Sequence, residues 1–494
     1  MASARLTRRG FVAKTGSTLA SVVLGVPVLG GVPVNAQSTG EARAAVDADF
    51  AATRMLAGWA VTVTPGDVPA SARQEAIRSI LNWTGVAIGG STQSAVQRAV
   101  AALEPYANGG KANLFGRREL FDPLRASLLA GISSHVLDFD DADLTTLIHP
   151  AGPVASALFP LSQDRRITGA EFLHAFIIGT EIEGRLGTAI YPSHYEMGWH
   201  ITGTCGVFGA AAACGRILGL NQEQMMWALG LAATQASGLK IMFGTMAKSF
   251  HPGHAAEGGL LAALLASKGF TASEQAIEGK EGYVYAASTQ HDYSHLSKDL
   301  GTNYMISRNG YKPFPSGIVL HSILDGMIQL HDEKHPAAAD VKSIAIKANP
   351  LVLQLTGKKT PRTELEAKFS VYHAAAVSLL RGRGGVKEFS DEAVRDPSIL
   401  KLRSLVEVDT TPAVRSDEVY IEVTMNDGTI LHKHVEHAVG TAENPMTDNQ
   451  LERKFRSLAE GILPSSRVDS LLTRLRHLEE LPDAGSIPKT ASLP

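Results

Sequence analysis

Cysteine is almost absent from this sequence, with Cys205 and Cys214 as the only two in 494 residues. This scarcity excludes a structural zinc site built on four cysteines. It also excludes an ordinary iron–sulfur cluster, which needs three or four thiolates. Both cysteines fall in one segment with the pattern of a single helix, so we expect no disulfide between them.

An excess of charge of one sign is also missing. The chain has 46 basic and 49 acidic residues and a formal net charge of −3. Proteins that bind nucleic acid show a basic stripe or patch, so no nucleic-acid partner is expected. Aromatic residues make up only 6%, while alanine and glycine are abundant. This balance favours closely packed helices over a β-sandwich.

Motifs of several common chemistries are absent as well. The sequence contains no HExxH or CxxC metal motif and no GxSxG nucleophile motif. With 494 residues, of which 44% are apolar, the chain is long enough for two domains with a sizeable core.

Long apolar runs are limited to the N-terminus. "TRRGFV" places Arg8 and Arg9 before an apolar run of roughly 16 residues, Leu19 to Val34, which is short for a membrane span. Residues 1–36 resemble a twin-arginine export signal, with an ordinary Sec signal as the alternative. We therefore expect a periplasmic protein with no membrane contact after cleavage behind Ala36.

Helical patterns dominate residues 37–282. One segment begins at Pro69 and ends at Gly90, the proline-first and glycine-last arrangement that is typical of helices. Thr168 stands three residues before Glu171, as in a capping box at a helix start. Because these helices are rich in alanine and glycine and are apolar on most sides, a buried multi-layer α bundle is predicted.

The pattern changes in residues 283–444. "VKSIAIKANP" alternates apolar and polar residues like a strand. "DEVYIEVTMNDGTILHKHVEHA" predicts a β-hairpin that turns at Asn426-Asp427-Gly428. Between the two, "ELEAKFSVYHAAAVSLLRG" has the pattern of a helix. This part of the chain is therefore predicted to be α+β.

The chain becomes helical again in residues 445–481. The last residues, 482–494, contain three prolines and are expected to be loose. The predicted fold class is mainly α, with a large all-helical domain interrupted by a smaller α+β domain.

The stretch "SHVLDFDDADLTTLIHP" has three aspartates in four residues within an apolar region. Buried carboxylates need partners, because removing a charge from water is costly. Asp138, Asp140 and Asp141 could hold magnesium, act with His149 as an acid/base group, or belong to a solvated or helix-capping loop. No calcium-loop pattern and no phosphate-binding glycines accompany them, which weighs against a metal.

Four further segments place ionisable residues in glycine-rich or apolar surroundings. They are "MGWHITGTCGVFG" with His200, "AKSFHPGHAAEGG" with Lys248 and His251, "YKPFPSGIVLHSILDG" with Lys312 and His321, and "FSVYHAAA" with Tyr372 and His373. Taken alone, each histidine is more simply explained by a structural role, and Lys248 by a place on the surface.

In their order along the chain, these segments resemble the MmgE/PrpD family. The resemblance runs from Phe50 to Leu481 and also includes "GLAATQASGL" and "FSDEAVRDP". The family includes 2-methylcitrate dehydratase, cis-aconitate decarboxylase and iminodisuccinate epimerase. The resemblance implies that the α+β domain, residues 283–444, is a lid over an all-helical domain. It also implies a homodimer and an active site between the two domains.

The resemblance also assigns residues. By motif, Asp138 matches the first aspartate of the family's DFDD segment and His149 the histidine of the following HP pair. His200 matches the GxH histidine, Lys248 the lysine before the histidine–glycine stretch, and Lys312 with His321 the lid segment.

Three positions depart from the family pattern. Ala142 stands where many members have threonine, and Gly317 stands where the decarboxylase has histidine. His373 occupies the place of a tyrosine, with Tyr372 before it. These positions are among those expected to contact the substrate, so they bear on which substrate and reaction the chain serves.

The reactions of the family make or quench charge at a carbon beside a carboxylate. Histidine can move a proton near neutral pH, and lysine can stabilise carboxylates and developing negative charge. We predict a cofactor-free lyase, a dehydratase or decarboxylase, that acts on a small di- or tricarboxylate and holds no metal. The alternatives are an epimerase or isomerase of a similar substrate, and a periplasmic carboxylate-binding protein that has lost its chemistry.

The predicted site has two groups of residues. The catalytic residues are His200, Lys248, Asp138 and His149. The substrate-binding residues are Lys312, His321, Tyr372, His373 and His251. Glycines on both sides of His200, Gly198 and Gly203, are expected to let a substrate approach the backbone there.

Overall fold

The computed structural model describes residues 51–107 and 109–494. The predicted export signal, residues 1–36, lies outside the described residues. From Ala51 onward, the described chain belongs to one compact unit. Within it, no helix is both long and apolar enough to span a membrane.

Ten α-helices and three short strands lie in the described residues of the first part of the chain. The helices are α1 (Ala52–Thr62), α2 (Ala70–Gly90), α3 (Ser94–Leu103), α4 (Pro123–His135), α5 (Ala151–Asp164), α6 (Gly169–Ile190), α7 (Ser193–Glu196), α8 (Ile201–Ile217), α9 (Gln222–Ala233) and α10 (Ala247–Ala266). The strands are β1 (Ala112–Asn113), β2 (Leu120–Phe121) and β3 (Asp141–Ala142).

The predicted helix signals are confirmed in this part. Helix α2 begins directly after Pro69 and ends at Gly90. Helix α6 begins with the predicted capping box, in which Thr168 Oγ1 accepts from the Glu171 backbone N–H and the Glu171 carboxylate accepts from Thr168. Helices α8 and α10 pack closely, because a Cβ at Gly259 would lie 2.5 Å from the Ala210 Cβ. The sequence reading of a buried, small-residue helix layer therefore agrees with the fold.

The middle of the chain contains short helices and most of the strands. The helices are α11 (Tyr283–Ala287), α12 (Ser294–Ser297), α13 (His321–Lys334), α14 (Pro350–Thr356), α15 (Glu364–Ala367), α16 (Val371–Arg381), α17 (Asp391–Arg395) and α18 (Pro397–Arg403). The strands are β4 (Gly310–Tyr311), β5 (Val341–Ala348), β6 (Val406–Thr410), β7 (Val419–Met425) and β8 (Ile430–Val435).

Strands β5 to β8 form a four-stranded sheet in the order β6-β5-β7-β8. Strand β5 runs parallel to β6 and antiparallel to β7, which pairs with β8 as the predicted hairpin. Gly428, in the hairpin turn, has a φ of +87°, a conformation that glycine adopts without strain. The predicted strand and hairpin are thus confirmed.

The single helix predicted between them is divided. Helix α15 ends at Ala367 and α16 begins at Val371, because the Ser370 side chain caps a new helix by accepting from the His373 N–H. The sheet, α13 and α16 share a hydrophobic core of their own, which begins at Val319. Tyr283 and Leu296 pack instead with the first helices. The separate core of the α+β part therefore begins later in the chain than residue 283, where the sequence pattern changes.

Three helices end the chain: α19 (Asp448–Ala459), α20 (Ser465–Arg476) and α21 (Ser486–Ala491). Helix α19 packs on α2, where a Cβ at Gly85 would lie 2.9 Å from the Phe455 ring. The expected loose tail, residues 482–494, is instead ordered. Ile487 and Ala491 are fully buried in the core of the helical part, and Pro488 lies in the first turn of α21, where its missing N–H costs nothing.

Candidate active site

A two-stranded ladder joins two segments that are far apart in the sequence. Strand β3 pairs antiparallel with β4, with Asp141 opposite Tyr311. Asp138 lies just before β3, and Lys312 directly follows β4. The ladder therefore brings the acidic stretch of the helical part against Lys312 of the middle part.

Asp138 lies between two ammonium groups. Its Oδ1 accepts from Lys248 Nζ at 2.9 Å and also from Lys312 Nζ. Its φ of +53° is in the left-handed region, so the backbone has left the helical conformation of α4 at this residue. Burial alone would raise the pKa of Asp138, but Lys248 and Lys312 outweigh it and hold that pKa well below its ordinary value. Asp138 is therefore ionised, and its Oδ2 is buried without a hydrogen-bond partner among the described residues.

Lys248 is the second residue of α10, and its side chain is buried. Its Nζ lies 5.4 Å from the ring centre of Phe243 and 5.3 Å from that of Phe369, within the range of cation–π attraction. Burial lowers the pKa of Lys248, and the carboxylate of Asp138 opposes that shift. The aspartate and the two rings thus stabilise an ammonium group that is removed from water.

His135 and His149 share a second aspartate. Nδ1 of His135 lies 2.6 Å from Asp140 Oδ2, and Nδ1 of His149 lies 3.3 Å from the same oxygen and 2.7 Å from the Asp141 carbonyl oxygen. Burial lowers the pKa of His135 to about 3, so its ring is neutral and donates to Asp140. This arrangement fixes both rings through Nδ1 and leaves Nε2 of each for other partners.

His200 stands at the start of α8, where its backbone N–H donates to the Gly238 carbonyl. Its Nδ1 lies 2.9 Å from Nδ1 of His251, so one of these nitrogens carries the shared proton. Burial, together with the charge of Lys248, holds the pKa of His200 well below its ordinary value. At neutral pH this imidazole is uncharged and can accept a proton.

The glycines beside His200 have another explanation than the predicted one. A Cβ at Gly203 would lie 2.4 Å from the Ser237 carbonyl oxygen and 3.1 Å from the His251 Cβ. Gly198 has a φ of +102°, a backbone conformation that favours glycine. Gly203 therefore serves close backbone packing and Gly198 a backbone conformation, and access of a substrate beside them stays a prediction.

A cavity of about 40 Å³ lies among these groups. Its lining residues come from both the helical part and the middle part of the chain: Asp138, Ala142, Leu147, His149, Tyr195, His200, Phe243, Lys248, Lys312, Gly317, Ile318, Val319, Leu355 and Phe369. Ligand pockets usually measure about 300–1,000 Å³, so this cavity holds little more than water as it stands. Two of the departures from the family pattern, Ala142 and Gly317, are in its wall.

The remaining predicted residues are placed differently. His251 contacts His200 but does not line the cavity, and His321 packs edge-on against Phe314, with a pKa lowered to about 3 by burial and by Lys312. Tyr372 and His373 lie in the interior of the α+β part, where His373 Nε2 is 2.9 Å from the Glu388 carbonyl oxygen. The structure does not bring these last two to the cavity.

The third aspartate of the stretch has structural partners. Asp141 Oδ2 accepts from Ser79 Oγ at 2.7 Å and from Asn309 Nδ2 at 2.8 Å. Burial, reinforced by the charge of Asp140, raises the pKa of Asp141 to about 7. Within one motif, Asp138 therefore contacts two lysines, Asp140 two histidines, and Asp141 two neutral side chains.

Lys454, on α19, is a neighbour of the site that no sequence pattern indicated. Its Nζ donates to Asn82 Oδ1 at 2.7 Å, to the Phe139 carbonyl at 2.6 Å and to the Lys312 carbonyl at 2.8 Å. Burial lowers the pKa of Lys454 to about 7. Its surroundings, "LERKF", look like those of any lysine on an amphipathic helix.

The role of His135 could have been inferred from its position five residues before Asp140, across the end of α4.

A larger cavity, of about 770 Å³, lies beside Trp199 and Tyr283. Its wall consists mainly of small residues, and its buried polar groups bind one another, with His194 Nε2 2.7 Å from Thr204 Oγ1. It lacks the convergent lysines, aspartate and histidines of the smaller cavity. We therefore regard the smaller cavity as the candidate active site.

Comparison with known proteins gives the family. Residues 54–296 match the MmgE/PrpD N-terminal domain, and residues 314–479 match the MmgE/PrpD C-terminal domain. The chain belongs to the MmgE/PrpD family.

Its curated relatives are distant in sequence but similar over most of their length. Cis-aconitate decarboxylase of Mus musculus is 26% identical over 432 residues, which are 83% of this chain and 87% of the relative. Cis-aconitate decarboxylase of Aspergillus terreus is 24% identical over 472 residues, 90% of this chain and 96% of the relative. The mitochondrial 2-methylcitrate dehydratase of Yarrowia lipolytica is 24% identical over 384 residues, 71% of this chain and 73% of the relative.

Proposed function

We propose that this chain is a lyase that eliminates water or carbon dioxide from a small di- or tricarboxylate, by proton transfer at a carbon beside a carboxylate. The relatives named above are decarboxylases and a dehydratase. The observation that carries the proposal is the pair of lysines on Asp138, next to His149 and His200, around one buried cavity. No bound cofactor is needed for the steps proposed here.

The two lysines supply the carboxylate site. An ammonium group has three N–H donors. Lys248 uses one of them for Asp138 among the described residues, while Lys312 donates to both Oδ1 and the backbone oxygen of the same aspartate. The remaining donors can bind a substrate carboxylate. They also stabilise the negative charge that develops when the neighbouring carbon loses its proton or its carboxyl group.

The histidines supply the proton transfer. His200 is held neutral by burial, so at working pH it is a base that can remove a proton. His149 also lines the cavity, and its ring is oriented by the Asp141 carbonyl and by Asp140. We assign His200 to the first proton transfer and His149 to the return of a proton to the leaving group or to the product carbon.

Substrate entry requires the site to open. The cavity is far smaller than a tricarboxylate, and its wall includes Gly317, Ile318 and Phe369 from the middle part of the chain. We propose that the α+β part, as a lid, moves away to admit the substrate and then returns. Ala142 and Gly317 leave the wall without the hydroxyl and imidazole that other family members carry there. This difference supports a substrate distinct from that of the decarboxylases.

The experiment is proton NMR of the purified protein with a panel of di- and tricarboxylates in heavy water. A lyase gives loss of the substrate signal and growth of an unsaturated or decarboxylated product. An Asp138→Asn variant is the matched negative control, because the change is close to isosteric and removes the charge that positions both lysines. Saturable binding without turnover or deuterium exchange, for every compound of the panel, would refute the lyase and indicate a binding protein. Exchange with inversion and without elimination would indicate an epimerase or isomerase instead.

We also propose a homodimer, as the family resemblance implies. Sedimentation velocity at micromolar concentration measures it directly. A single species of monomer mass would contradict this proposal without affecting the proposed chemistry.

A further inference from the structure

Three imidazole rings converge on one side of the candidate site. The ring centres are 4.8 Å apart for His135 and His149, 5.7 Å for His135 and His200, and 6.4 Å for His149 and His200. One possible ligand atom from each ring lies within 4.8 Å of the other two. Around a tetrahedral Zn²⁺ with Zn–N bonds of 2.0–2.1 Å, nitrogen atoms are about 3.4 Å apart. Because the limit here is longer than that spacing, the rings have to move closer together when they bind an ion.

Each of the three rings is held through Nδ1, so Nε2 is the nitrogen that remains to bind an ion. Nδ1 of His135 contacts the Asp140 carboxylate at 2.6 Å, and Nδ1 of His149 contacts the Asp141 carbonyl oxygen at 2.7 Å. Nδ1 of His200 lies 2.9 Å from His251. Histidines that bind metals usually use their second nitrogen in this way, for a carboxylate, a carbonyl oxygen or another polar group, which fixes the tautomer and the direction of the ligand atom.

An independent observation indicates that a partner is missing. Nε2 of His135 is fully buried and has no hydrogen-bond partner among the described residues. His135 is 1% exposed, so water does not reach this nitrogen from the surface. A buried imidazole nitrogen without a partner is unusual, because such polar atoms are nearly always bonded in folded proteins.

The surrounding charges permit a cation. Asp138 and Asp140 carry two negative charges, and Lys248 and Lys312 carry two positive charges paired with Asp138. The charges of these four side chains cancel, so a dication meets no net repulsion from them. Asp140 is also in direct contact with His135, where it strengthens that ring as a ligand.

We propose that His135, His149 and His200 form a binding site for a divalent transition-metal ion, with Zn²⁺ as the best match, and that the bound ion inhibits the enzyme. Imidazole nitrogens suit zinc, copper and nickel, and poorly suit magnesium or calcium. The inhibition, which rests on the proposed function, follows because the ion takes the nitrogen lone pairs of His149 and His200 that proton transfer requires. The binding of the ion does not depend on that function.

Cobalt(II) is the probe for binding, because its visible absorption reports coordination number and ligands. The full protein is stripped with chelator, titrated with Co²⁺ and then with Zn²⁺. We expect one Co²⁺ per chain with an intense visible band, and loss of the band when one equivalent of Zn²⁺ is added. A titration in which the absorption stays that of Co²⁺ in buffer would overturn the proposal.

Two variants locate the ion. His135→Gln should lose the band, whereas His437→Gln should keep it. Among the described residues, His437 forms with Asp417 and Glu443 a group that could hold an ion and that shares no residue with the candidate site. Loss of the band in His437→Gln and its survival in His135→Gln would place the metal there and refute the site.

A measurement on the unchanged protein covers the case in which His135→Gln does not fold. X-ray absorption at the zinc edge should show three imidazole nitrogens at about 2.0–2.1 Å. A first shell made of oxygen alone would refute the site. In the activity arm, Zn²⁺ should inhibit with a constant equal to its dissociation constant. Binding without inhibition would refute the inhibitory role only, and a metal-free protein with no turnover would refute the proposed function only.

Discussion

The sharing of Asp138 by two lysines makes a specific prediction about stability. If Lys248 alone is replaced by methionine, Asp138 keeps Lys312 as its partner, and the reverse holds for Lys312→Met. Each single change also removes a buried ammonium group, whose desolvation was itself costly. We therefore expect the free energy of unfolding of each single variant to fall by less than about 1 kcal/mol. The attraction lost between the lysine and Asp138 is largely offset, because the cost of removing that ammonium group from water also disappears.

The double variant, Lys248→Met with Lys312→Met, leaves Asp138 buried without a counter-charge. Its carboxyl group then takes up a proton rather than remain charged, so its folded-state pKa rises above the unfolded value of about 3.9. Because the carboxyl group can take up a proton, the loss in free energy of unfolding is at most about 1.36 kcal/mol for each pH unit above the unfolded pKa. This limit is about 4 kcal/mol at pH 7 and about 1.5 kcal/mol at pH 5.

The sign of the pH effect is thus fixed. A carboxyl group whose pKa is raised on folding destabilises the protein above its unfolded pKa, and the loss disappears as the pH falls. Relative to the unchanged protein at the same pH, the double variant should recover up to about 2.7 kcal/mol between pH 7 and pH 5. The single variants should show no such recovery.

Urea unfolding followed by circular dichroism at pH 5 and pH 7 measures these differences. The matched control is Lys358→Met with Lys433→Met, because both lysines pair with carboxylates near the surface. That control should cost less than about 1 kcal/mol per pair at either pH. Equal losses for the double variant at pH 5 and pH 7, or single losses as large as the double one, would refute the shared-counterion reasoning.

Four further predictions concern activity and location. His200→Gln should lower kcat about 10²–10⁴-fold while leaving carboxylate affinity, measured by calorimetry, nearly unchanged, and wild-type kcat in the variant would contradict the assignment. Because burial keeps the pKa of His200 well below 6.5, the unchanged enzyme should still be active at pH 6. Activity should survive exhaustive treatment with chelator, and activity lost on chelation and restored by Mg²⁺ would contradict a metal-free mechanism. Replacing Arg8 and Arg9 by lysine should leave the protein in the cytoplasm, and its recovery from the periplasm would refute the twin-arginine reading. Amide hydrogen exchange near Lys312 should slow when a substrate carboxylate binds, and unchanged exchange at saturation would count against lid closure.

Much of the fold could be predicted, because its signals are local. The alternation in β5, the turn at Gly428 and the capping box at Thr168 each lie within a few residues, and each is present in the structure. The ordered tail could not be predicted, because Ile487 is held by a core built from distant helices rather than by its neighbours in sequence.

The candidate site divides in the same way. Asp138, His149, His200, Lys248 and Lys312 lie in motifs that resemble the family, and the structure gathers them around one cavity. Tyr372 and His373 also lie in such a motif, yet they point into the core of the α+β part. Whether a motif residue faces a cavity or a core depends on how α16 packs, and a sequence motif does not contain that information.

The contacts of Lys454 also bear on when the site can form. Its Nζ binds the carbonyl of Phe139, a residue 315 positions earlier in the chain, and the carbonyl of Lys312. A chain that grows by about 5–20 residues per second needs roughly 15 to 60 s to pass from the first of these residues to the last. Lys312 is made 142 residues before Lys454. For the last roughly 7 to 28 s of that interval, the nascent protein therefore has both Phe139 and Lys312 but lacks the side chain that joins their backbones. The enzyme is thus assembled late in translation, and a chain arrested before α19 would be synthesised almost completely without acquiring a finished site.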